Sequence, residues 1–442
     1  MSKTIAIIGG GASGALVVLN SLKQSTRPIR ILWFDANNAF CKGLAYSTDE
    51  DVHLLNVRAS NMSVFVDEPT HFVNWLAQQQ LPFSSQDFVP RTVYGQYLST
   101  TFNALKESNA NVTITCLAEE VTAVNKSGDD YLVSAKEVHQ AQQVVLAFGN
   151  FLPAHPRSIH TDFQQSHRYF QNAFSSQVVK SAINQESVLI VGSGLTMIDV
   201  VLSLKKHNYT GKIRAISPHG YLPQAHIENL LPTAVSFINE QKTYTLLQVF
   251  SLVNQHLKIA RANQLSAHPV IDALRPHLQR LWLGFSLEDK QQFLRHLRHK
   301  WGVARHRAAS QSMQVINELL HTKQLELIRG RVYDIKSSVN GFEVQYVDKG
   351  QHHYLQTSVL INCTGPESNF EKVEFPLIKQ LLQAKLICID ALKYGIEASV
   401  NGQIAPNLYT IGPPLKGILW ETTAVPEIRL QAQQLALLLC DE

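Results

Sequence analysis

Short apolar runs that end at a glycine recur along the chain and predict buried parallel strands. They cover residues 3–8, 143–148, 187–191, 359–363 and 407–411. The first and third runs pass through a glycine-rich turn into an apolar stretch of helical length, ending near residues 22 and 204. Strand, tight turn and helix in this order predict an α/β fold. Because the unit occurs twice, we expect two Rossmann-like dinucleotide-binding domains.

The first turn, called here the first cradle (residues 9–14), has the spacing G-x-G-x-x-G at Gly9, Gly11 and Gly14. These glycines permit the turn, a close approach to a pyrophosphate, and packing of the helix on its strand. Ser13 lies at the helix start, where free N–H groups favour phosphate. A second strand ends at Asp35, an acid about 20 residues later that is placed to bond a ribose hydroxyl. The sequence therefore predicts a dinucleotide site rather than an ordinary glycine turn.

The second cradle (residues 192–197) keeps two of the three glycines. Gly192 and Gly194 are followed by Leu195 and Thr196 at the helix start, and Met197 replaces the third glycine. The first two glycines preserve the turn and the approach to phosphate. We therefore expect a second dinucleotide site, with a helix that packs less closely on its strand.

The residues after the next strand bear on the choice of nucleotide. Residues 213–216 form that strand, and Ser217 and His219 follow it where an acid would select NAD. The missing acid removes a repulsion against a 2′-phosphate, and Ser217, His219 and Arg214 can donate hydrogen bonds to one. The sequence therefore favours NADPH, with NADH as the alternative.

The remaining pattern predicts the domain organisation. We expect a first nucleotide domain at residues 1–180, a second at 181–365, and a return to the first at 366–442. Residues 36–69 lack a period and predict a functional loop. A helical insertion is expected at about 222–320, with helices at 246–260, 270–282 and 287–301. Its basic segments, 293–301 and 305–307, indicate a solvated cationic face or, as the alternative, a patch that faces substrate or NADP.

Composition excludes several classes of function. Of the 442 residues, 45% are hydrophobic, and 39 basic against 35 acidic residues give a net charge of +4. Because the charges are scattered, neither nucleic acid nor an anionic membrane is expected as a partner. The sequence contains no run of 18 apolar residues, so no membrane span is predicted and a cytoplasmic protein is expected. The five cysteines are far apart and lack C-x-x-C, so we expect no metal site and no dithiol centre.

Two cradles, sheet returns ending at Gly149 and Gly365, and a closing strand ending at Gly412 resemble flavoproteins with two dinucleotide-binding domains. Within them, the chain resembles bacterial FAD/NAD(P)-binding proteins related to flavin-containing and N-hydroxylating monooxygenases. The motifs that carry this likeness are G-G-G-A-S-G at 9–14, G-L-A-Y at 43–46, L-L-N-V at 54–57, V-P-R-T-V-Y-G-Q-Y-L at 89–98, C-T-G-P at 363–366 and W-E-T-T-A-V-P-E-I-R at 420–429. The resemblance implies FAD in the first domain and NAD(P)H in the second.

The resemblance also implies roles for single residues. Flavin-containing monooxygenases carry an asparagine before an M-x-x-F-like stretch, and Asn56 ahead of Met62 and Phe65 is the similar position, so Asn56 is the expected catalytic residue. The alternative is an asparagine that bonds its own backbone in a turn. The expected cofactor contacts are Gly9, Gly11, Ser13, Gly14, Asp35, Gly43, Arg91, Val121, Gly149, Gly192, Gly194, Leu195, Thr196, Ser217, His219, Gly365 and Gly412.

Three functions are compatible with these residues. The first is an NAD(P)H-dependent monooxygenase that uses molecular oxygen on a small nucleophilic, amine-like substrate through an oxygenated flavin. The second is an NAD(P)H:acceptor flavin reductase without oxygenation, for which Cys41 is the best feature, although a lone loop cysteine is more often inert. The third is a non-enzymatic flavin sensor, which the second cradle disfavours because a sensor needs no hydride donor. The pattern carries no indication of an oligomeric state.

Overall fold

The computed structural model describes residues 2–227 and 237–441, so residues 228–236 of the predicted insertion lie outside the described part. The strands are β1 (Lys3–Ile8), β2 (Ile29–Phe34), β3 (Val112–Leu117), β4 (Ala123–Ser127), β5 (Asp130–Ser134), β6 (Val138–Ala141), β7 (Gln143–Leu146), β8 (Tyr169–Phe170), β9 (Ser187–Val191), β10 (Lys212–Ser217), β11 (Leu325–Arg329), β12 (Arg331–Ser338), β13 (Gly341–Asp348), β14 (Gln351–Thr357), β15 (Val359–Asn362), β16 (Gln403–Ala405) and β17 (Leu408–Thr410). The α-helices are α1 (Ala12–Gln24), α2 (Gly43–Tyr46), α3 (His71–Gln78), α4 (Arg91–Ser108), α5 (Gln177–Ala182), α6 (Leu195–Lys206), α7 (Leu246–Ala262), α8 (His268–Asp272), α9 (Leu278–Gly284), α10 (Leu287–His296), α11 (Arg298–Arg305), α12 (Ser310–His321), α13 (Pro376–Gln383), α14 (Lys416–Leu419) and α15 (Val425–Asp441).

The first sheet has the order β16-β17-β7-β1-β2-β3, and its central strand β1 pairs in parallel with β2 and β7. Ile5 and Ile7 pack with residues of α1 and α15 on one face. Ala6 and Ile8 pack on the other face with residues of α13 and of the small antiparallel sheet β4-β5-β6. Cover on both faces explains why β1 is apolar in consecutive positions instead of alternating.

The second sheet repeats this plan with the order β11-β10-β9-β15-β8, in which β9 pairs in parallel with β10 and β15. Residues of α6 and α12 cover one face, where Met197 and Ile316 are fully buried. Residues of the antiparallel sheet β12-β13-β14 cover the other. The predicted α/β fold with two Rossmann-like units is confirmed by these two sheets.

The chain between β10 and β11 contains the helices α7 to α12. The predicted helix at 270–282 is wrong as a single element, because Pro276 has no N–H to donate and the chain passes there through a 3-10 turn, Arg275–His277. The predicted helix at 287–301 is interrupted at Leu297, between α10 and α11. The sequence pattern did not predict α12, which packs on the second sheet's α6.

In residues 2–227 and 237–441, no helix is both long enough and apolar enough to cross a membrane. No group of three or more His, Cys, Asp or Glu side chains in the same ranges is arranged to hold a metal ion.

A buried ion pair joins the two halves of the molecule. Arg91 begins α4, and its Nη2 lies 2.8 Å from Oδ2 of Asp199 on α6; the two side chains are 11% and 7% exposed. Arg91 Nε also donates to the carbonyl oxygen of Leu54 at 3.2 Å. Burial raises the pKa of Asp199, and the Arg91 guanidinium opposes that rise. The pair therefore fixes the loop before α4 and the helix of the second cradle against each other.

The loop over residues 48–56 docks on the same helix through further polar contacts. The ring of His53 lies 2.8 Å from Oγ of Ser203 through Nε2 and 2.9 Å from Oγ1 of Thr48 through Nδ1. Lys206 Nζ lies 2.7 Å from Oδ1 of Asp51. His53 and Ser203 are buried, whereas Lys206 and Asp51 are exposed, so this interface has a buried polar centre and an exposed rim.

We expect Asp199→Ala to lower the free energy of unfolding by about 3–5 kcal/mol, since it leaves the Arg91 guanidinium buried without its counter-charge. Lys205→Ala is the matched control on the same helix, because Lys205 and Glu318 form an exposed pair at 3.6 Å. Such exposed pairs contribute roughly 0–1 kcal/mol. Urea unfolding of both variants measures the difference, and equal losses would contradict the assigned role.

Candidate functional site

The first cradle has the geometry that its glycines predict. Gly9 has φ +121°, and a Cβ there would lie 2.2 Å from the carbonyl oxygen of Ala147. A Cβ at Gly14 would lie 2.1 Å from the carbonyl oxygen of Gly9. Neither position accepts a side chain, so the tight turn and the packing of α1 on β1 both depend on glycine.

Several predicted cofactor residues meet at the N-terminus of α1. A Cβ at Gly11 would contact only the Cα of Gly43, at 3.4 Å, and a Cβ at Gly412 would lie 2.8 Å from Oγ of Ser13. No side chain caps this helix, whose N-cap is Gly11. Free amides, a positive helix end and an absence of side chains are the features that bind a pyrophosphate. This cradle therefore fits a dinucleotide.

Asp35 closes the first cradle from the end of β2. Its Oδ2 accepts from the Gly10 N–H at 3.0 Å. Its Oδ1 accepts from the N–H groups of Asn37 and Ala39, at 3.0 and 2.9 Å. The carboxylate keeps lone pairs beyond these three bonds. The ribose contact expected of Asp35 stays a prediction.

Three other predicted cofactor residues lie elsewhere around the first sheet. Gly149 follows β7 with φ +68° and has no protein atom within 4 Å of a Cβ position. Val121 is 4% exposed and packs in the core with Ile8 and Phe34. Arg91 departs from the expected cofactor contact, because its guanidinium is engaged by Asp199 in the buried ion pair.

The second cradle opens into a cavity of about 650 Å³. A Cβ at Gly192, which has φ +114°, would lie 2.1 Å from the carbonyl oxygen of Cys363, whereas no protein atom lies within 4 Å of a Cβ position at Gly194. No side chain caps α6, whose N-cap is Gly194. Six of the predicted nicotinamide-nucleotide residues line this cavity: Gly192, Gly194, Leu195, Thr196, Ser217 and His219, and Gly365 joins them. The second cradle therefore also fits a dinucleotide.

Ser217 is engaged within its own loop. The Ser193 hydroxyl lies 2.5 Å from the carbonyl oxygen of Tyr221 and 2.8 Å from the Ser217 hydroxyl. Ser193 is the donor toward Ser217, so the Ser217 oxygen accepts from it. Ser217 also accepts from the Gly220 N–H at 3.1 Å. The donation of Ser217 to a 2′-phosphate stays a prediction.

The basic segments of the insertion divide between two environments. Arg298, His299 and His306 line the cavity. Arg305 lies 3.4 Å from Glu427, and Arg307 lies 2.9 Å from Asp272. For the first three residues the structure favours the alternative interpretation, a nucleotide-facing patch. The solvated cationic face was the wrong interpretation for the buried Arg307.

Asn56 is held by its backbone, and its side chain is free within the described part of the chain. Its carbonyl oxygen lies 3.1 Å from Nε2 of His226, a residue at the start of the insertion. The neighbouring Leu55 N–H donates to the Val89 carbonyl oxygen at 2.9 Å. No hydrogen bond joins the Asn56 amide to its own turn, which removes the observation that the turn interpretation requires.

The thiols of Cys41 and Cys363 are buried, whereas a reductase needs a thiol that is accessible and reactive. Cys41 is 2% exposed, and burial raises the pKa of its thiol to about 12, with Cys116 nearby adding to the rise. Burial also raises the pKa of Cys363, which lines the cavity. Because the thiolate is the reactive form, these cysteines are poor nucleophiles.

The sequence analysis missed Asp199, His226 and Arg331. Asp199 carried a signal, since it is the one acid inside the apolar helix that follows the second cradle. Its partner Arg91 lies far away along the chain, so no local pattern pairs them. His226 and Asn56 are likewise far apart along the chain, so no local pattern predicts their contact either.

The comparisons with known proteins agree with this geometry. Residues 6–151 match the FAD-NAD(P)-binding family. No curated protein matches the sequence. The predicted resemblance to FAD/NAD(P)-binding flavoproteins is confirmed by the family match together with solved structures that share the fold over the full length.

Three of these solved structures are informative. A cadaverine monooxygenase of desferrioxamine biosynthesis from Erwinia amylovora has 14% identity and a TM-score of 0.69, over 100% of this chain and 95% of that one. The ornithine N-hydroxylase of Kutzneria sp. 744 has 14% identity and a TM-score of 0.66, over 99% of each chain. The bacillithiol disulfide reductase of Staphylococcus aureus has 13% identity and a TM-score of 0.58, over 99% of this chain and 98% of that one. At these identities the likeness shows the fold.

We expect Gly194→Val to fold and to lose NADP⁺ binding by at least about tenfold, since the new side chain enters open cavity space where phosphate must approach. Its φ of −87° suits any residue. Isothermal titration with NADP⁺, together with the flavin content and thermal midpoint, measures these effects. Gly192→Ala is the contrasting variant and should fail to fold. A Gly194→Val protein that binds NADP⁺ as tightly as the parent would contradict the site.

We expect the stability of the parent to fall more steeply below pH 6.5 than that of His226→Gln. Burial lowers the pKa of His226 from 6.5 to about 4, so in this window the unfolded chain binds more protons than the folded one. The contribution of neutral His226 to the free energy of unfolding is complete above pH 6.5 and is lost as the pH falls towards 4. At pH 5 the loss is roughly 2 kcal/mol. Urea unfolding at pH 7 and pH 5 compares the two proteins, and equal pH slopes would refute the prediction.

Proposed function

We propose that this chain, whose residues 6–151 match the FAD-NAD(P)-binding family, is an FAD- and NAD(P)H-dependent oxidoreductase. FAD is assigned to the first cradle and NAD(P)H to the second. The domain limits 1–180, 181–365 and 366–442 are proposed with them. Two uncapped helix starts at the carboxyl ends of two parallel sheets support the assignment.

Within this class we propose a monooxygenase that acts on a small, amine-like nucleophile. The observation that carries the proposal is helix α11, which lines the second nucleotide site and contacts the segment beside the first. Arg298 and His299 of α11, and His306 directly after it, line the cavity of the second cradle. Trp301 Nε1 donates to Oε1 of Glu421 at 2.8 Å. The next residue, Thr422, donates to the carbonyl oxygen of Gly412 at 3.0 Å, beside Ser13 of the first cradle.

An enclosed site between the two cofactors is what oxygenation requires. The bound cofactors supply hydride transfer and the activation of oxygen. The protein must hold them against each other and keep water away from the reacting atoms. We assign the exclusion of water to the aromatic cluster of Trp282, Phe293 and Trp420, against which Trp301 of α11 packs. The fold shared with a cadaverine monooxygenase and an ornithine N-hydroxylase supports the same choice.

Asn56 is the proposed catalytic residue. Its backbone is fixed by His226 and by the Leu55–Val89 hydrogen bond, so the point from which the side chain extends is set before substrate arrives. The amide offers two N–H donors and one acceptor that no described residue uses. We propose that it bonds the nicotinamide or the reacting oxygen, so it acts after hydride transfer.

The second candidate function is an NAD(P)H:acceptor reductase without oxygenation. The observation in its favour is that Cys41 lies close enough to Cys116 for one thiol to affect the other. The raised pKa of both thiols, caused mainly by burial, counts against thiol exchange. A non-enzymatic sensor has no feature in its favour that the two enzymes lack.

We expect Asn56→Ala to leave flavin reduction within about twofold of the parent and to lower oxygenated product per NADPH by at least about tenfold. A preorganised donor to a developing charge contributes about 2.7–4 kcal/mol in well-studied sites, which is an upper guide here. Anaerobic stopped-flow measures reduction, and mass spectrometry with cadaverine, L-ornithine and L-lysine as probes measures product. Asn61→Ala, at an exposed position of the same loop, is the matched control.

The outcomes separate the candidates. Parent-like product yields in Asn56→Ala would make Asn56 structural. An NADPH-reduced parent that forms no product from any of the three amines, but reduces a low-molecular-weight disulfide in a Cys41-dependent way, would establish the reductase instead.

A further inference from the structure

The cavity of the second cradle is lined by basic residues and by no carboxylate. Its basic residues are Arg157, His219, Arg298, His299, His306 and Arg331. No Asp or Glu of residues 2–227 or 237–441 belongs to its wall. A cavity with this wall attracts anions, and it attracts a more highly charged anion more strongly.

The arginines of this wall have no carboxylate partner within the described ranges, whereas nearby arginines do. Arg329 precedes Arg331 by two positions and pairs with Asp348 at 2.7 Å. Arg307, close to α11, pairs with Asp272 at 2.9 Å. A ligand in the cavity can therefore supply the negative charge that these arginines lack.

The basic wall lies where a Rossmann unit reads the ribose of its nucleotide, at the carboxyl end of the strand after the glycine turn. In this molecule that strand is β10, and the hydroxyl of its last residue, Ser217, accepts from the Ser193 hydroxyl at 2.8 Å. His219 follows it, with its ring centroid 5.1 Å from that of His299 on α11. The arginines that line the cavity, Arg157, Arg298 and Arg331, come from outside the β10 loop.

Arg298 is fixed in place before any ligand binds. Its Nη1 donates to the hydroxyl of Tyr394, in the segment that returns to the first domain. Its Nη2 lies 3.4 Å from Nε2 of His299. A guanidinium held by other groups loses little freedom when it binds a phosphate.

We propose that the helical insertion, through Arg298 and His299, and strand β12, through Arg331, bind the 2′-phosphate of NADPH. This inference rests on the proposed assignment of NAD(P)H to the second cradle and makes the insertion part of the nucleotide site. Arginine forks bind the oxygens of a phosphate monoester in pairs, which a ribose hydroxyl cannot match. The insertion therefore selects NADPH over NADH.

The test uses adenosine 2′,5′-bisphosphate and adenosine 5′-monophosphate, which differ only in the 2′-phosphate. Isothermal titration of the purified flavoprotein should give at least about tenfold tighter binding of the bisphosphate. Arg331→Gln and Arg298→Gln should each weaken the bisphosphate by at least about tenfold and the monophosphate by less than about twofold. Arg329→Gln is the matched control and should change neither. Thermal midpoints establish that each variant is folded. If Arg298→Gln does not fold, Arg331→Gln alone decides the test.

Three results would overturn the inference: equal affinity of the parent for both probes, equal loss of both probes in Arg331→Gln, or a loss in Arg329→Gln as large as in Arg331→Gln. Flavin reduction by saturating NADPH and NADH is measured alongside. Reduction by both nucleotides with no 2′-phosphate effect overturns this inference and leaves the proposed oxidoreductase intact. Reduction by neither overturns the proposed function itself.

Discussion

The contact between Arg91 and Asp199 is the constraint on which the arrangement of the two cradles depends. One partner begins a helix of the first domain, and the other lies in the helix that carries the second cradle. A guanidinium and a carboxylate removed from water must stay in contact, because separating them leaves two buried charges unpaired. Movement of α6 against the first domain is therefore opposed at its centre. The same contact engages the guanidinium of Arg91, a residue that was expected to contact the cofactor.

The insertion adds a second connection on the other side of the nucleotide sites. Helix α11 contacts Tyr394 through Arg298 and Glu421 through Trp301, and both partners belong to the segment that returns to the first domain. Helix α12, at the end of the insertion, packs against α6. The two cradles are thus joined by an ion pair on one side and by a helical wall on the other.

The sequence predicted the parts of this structure that local patterns determine. The turns at Gly9 and Gly192 need glycine because a neighbouring carbonyl oxygen occupies the place of a Cβ, and this requirement leaves a visible spacing. The β14 strand has no recognisable sequence pattern, since five of its seven residues are polar and most are at least partly exposed at the edge of a small sheet. Contacts between distant segments have no recognisable sequence pattern either. The ion pair of Arg91 with Asp199 and the contact of Ser217 with Ser193 join residues that only the folded chain brings together, so no local pattern predicts them.

The central claim is that the buried interface holds the two cofactors in the relative position that hydride transfer needs. The most direct measurement is anaerobic stopped-flow reduction of the bound flavin by NADPH in Asp199→Asn, with flavin content and NADP⁺ affinity measured separately. The account predicts that both nucleotides are retained, with affinities within about twofold, while the reduction rate falls by at least about tenfold, since small displacements of reacting groups cost about 10²-fold in rate. A variant that binds both nucleotides normally and reduces its flavin at the parent rate would contradict it.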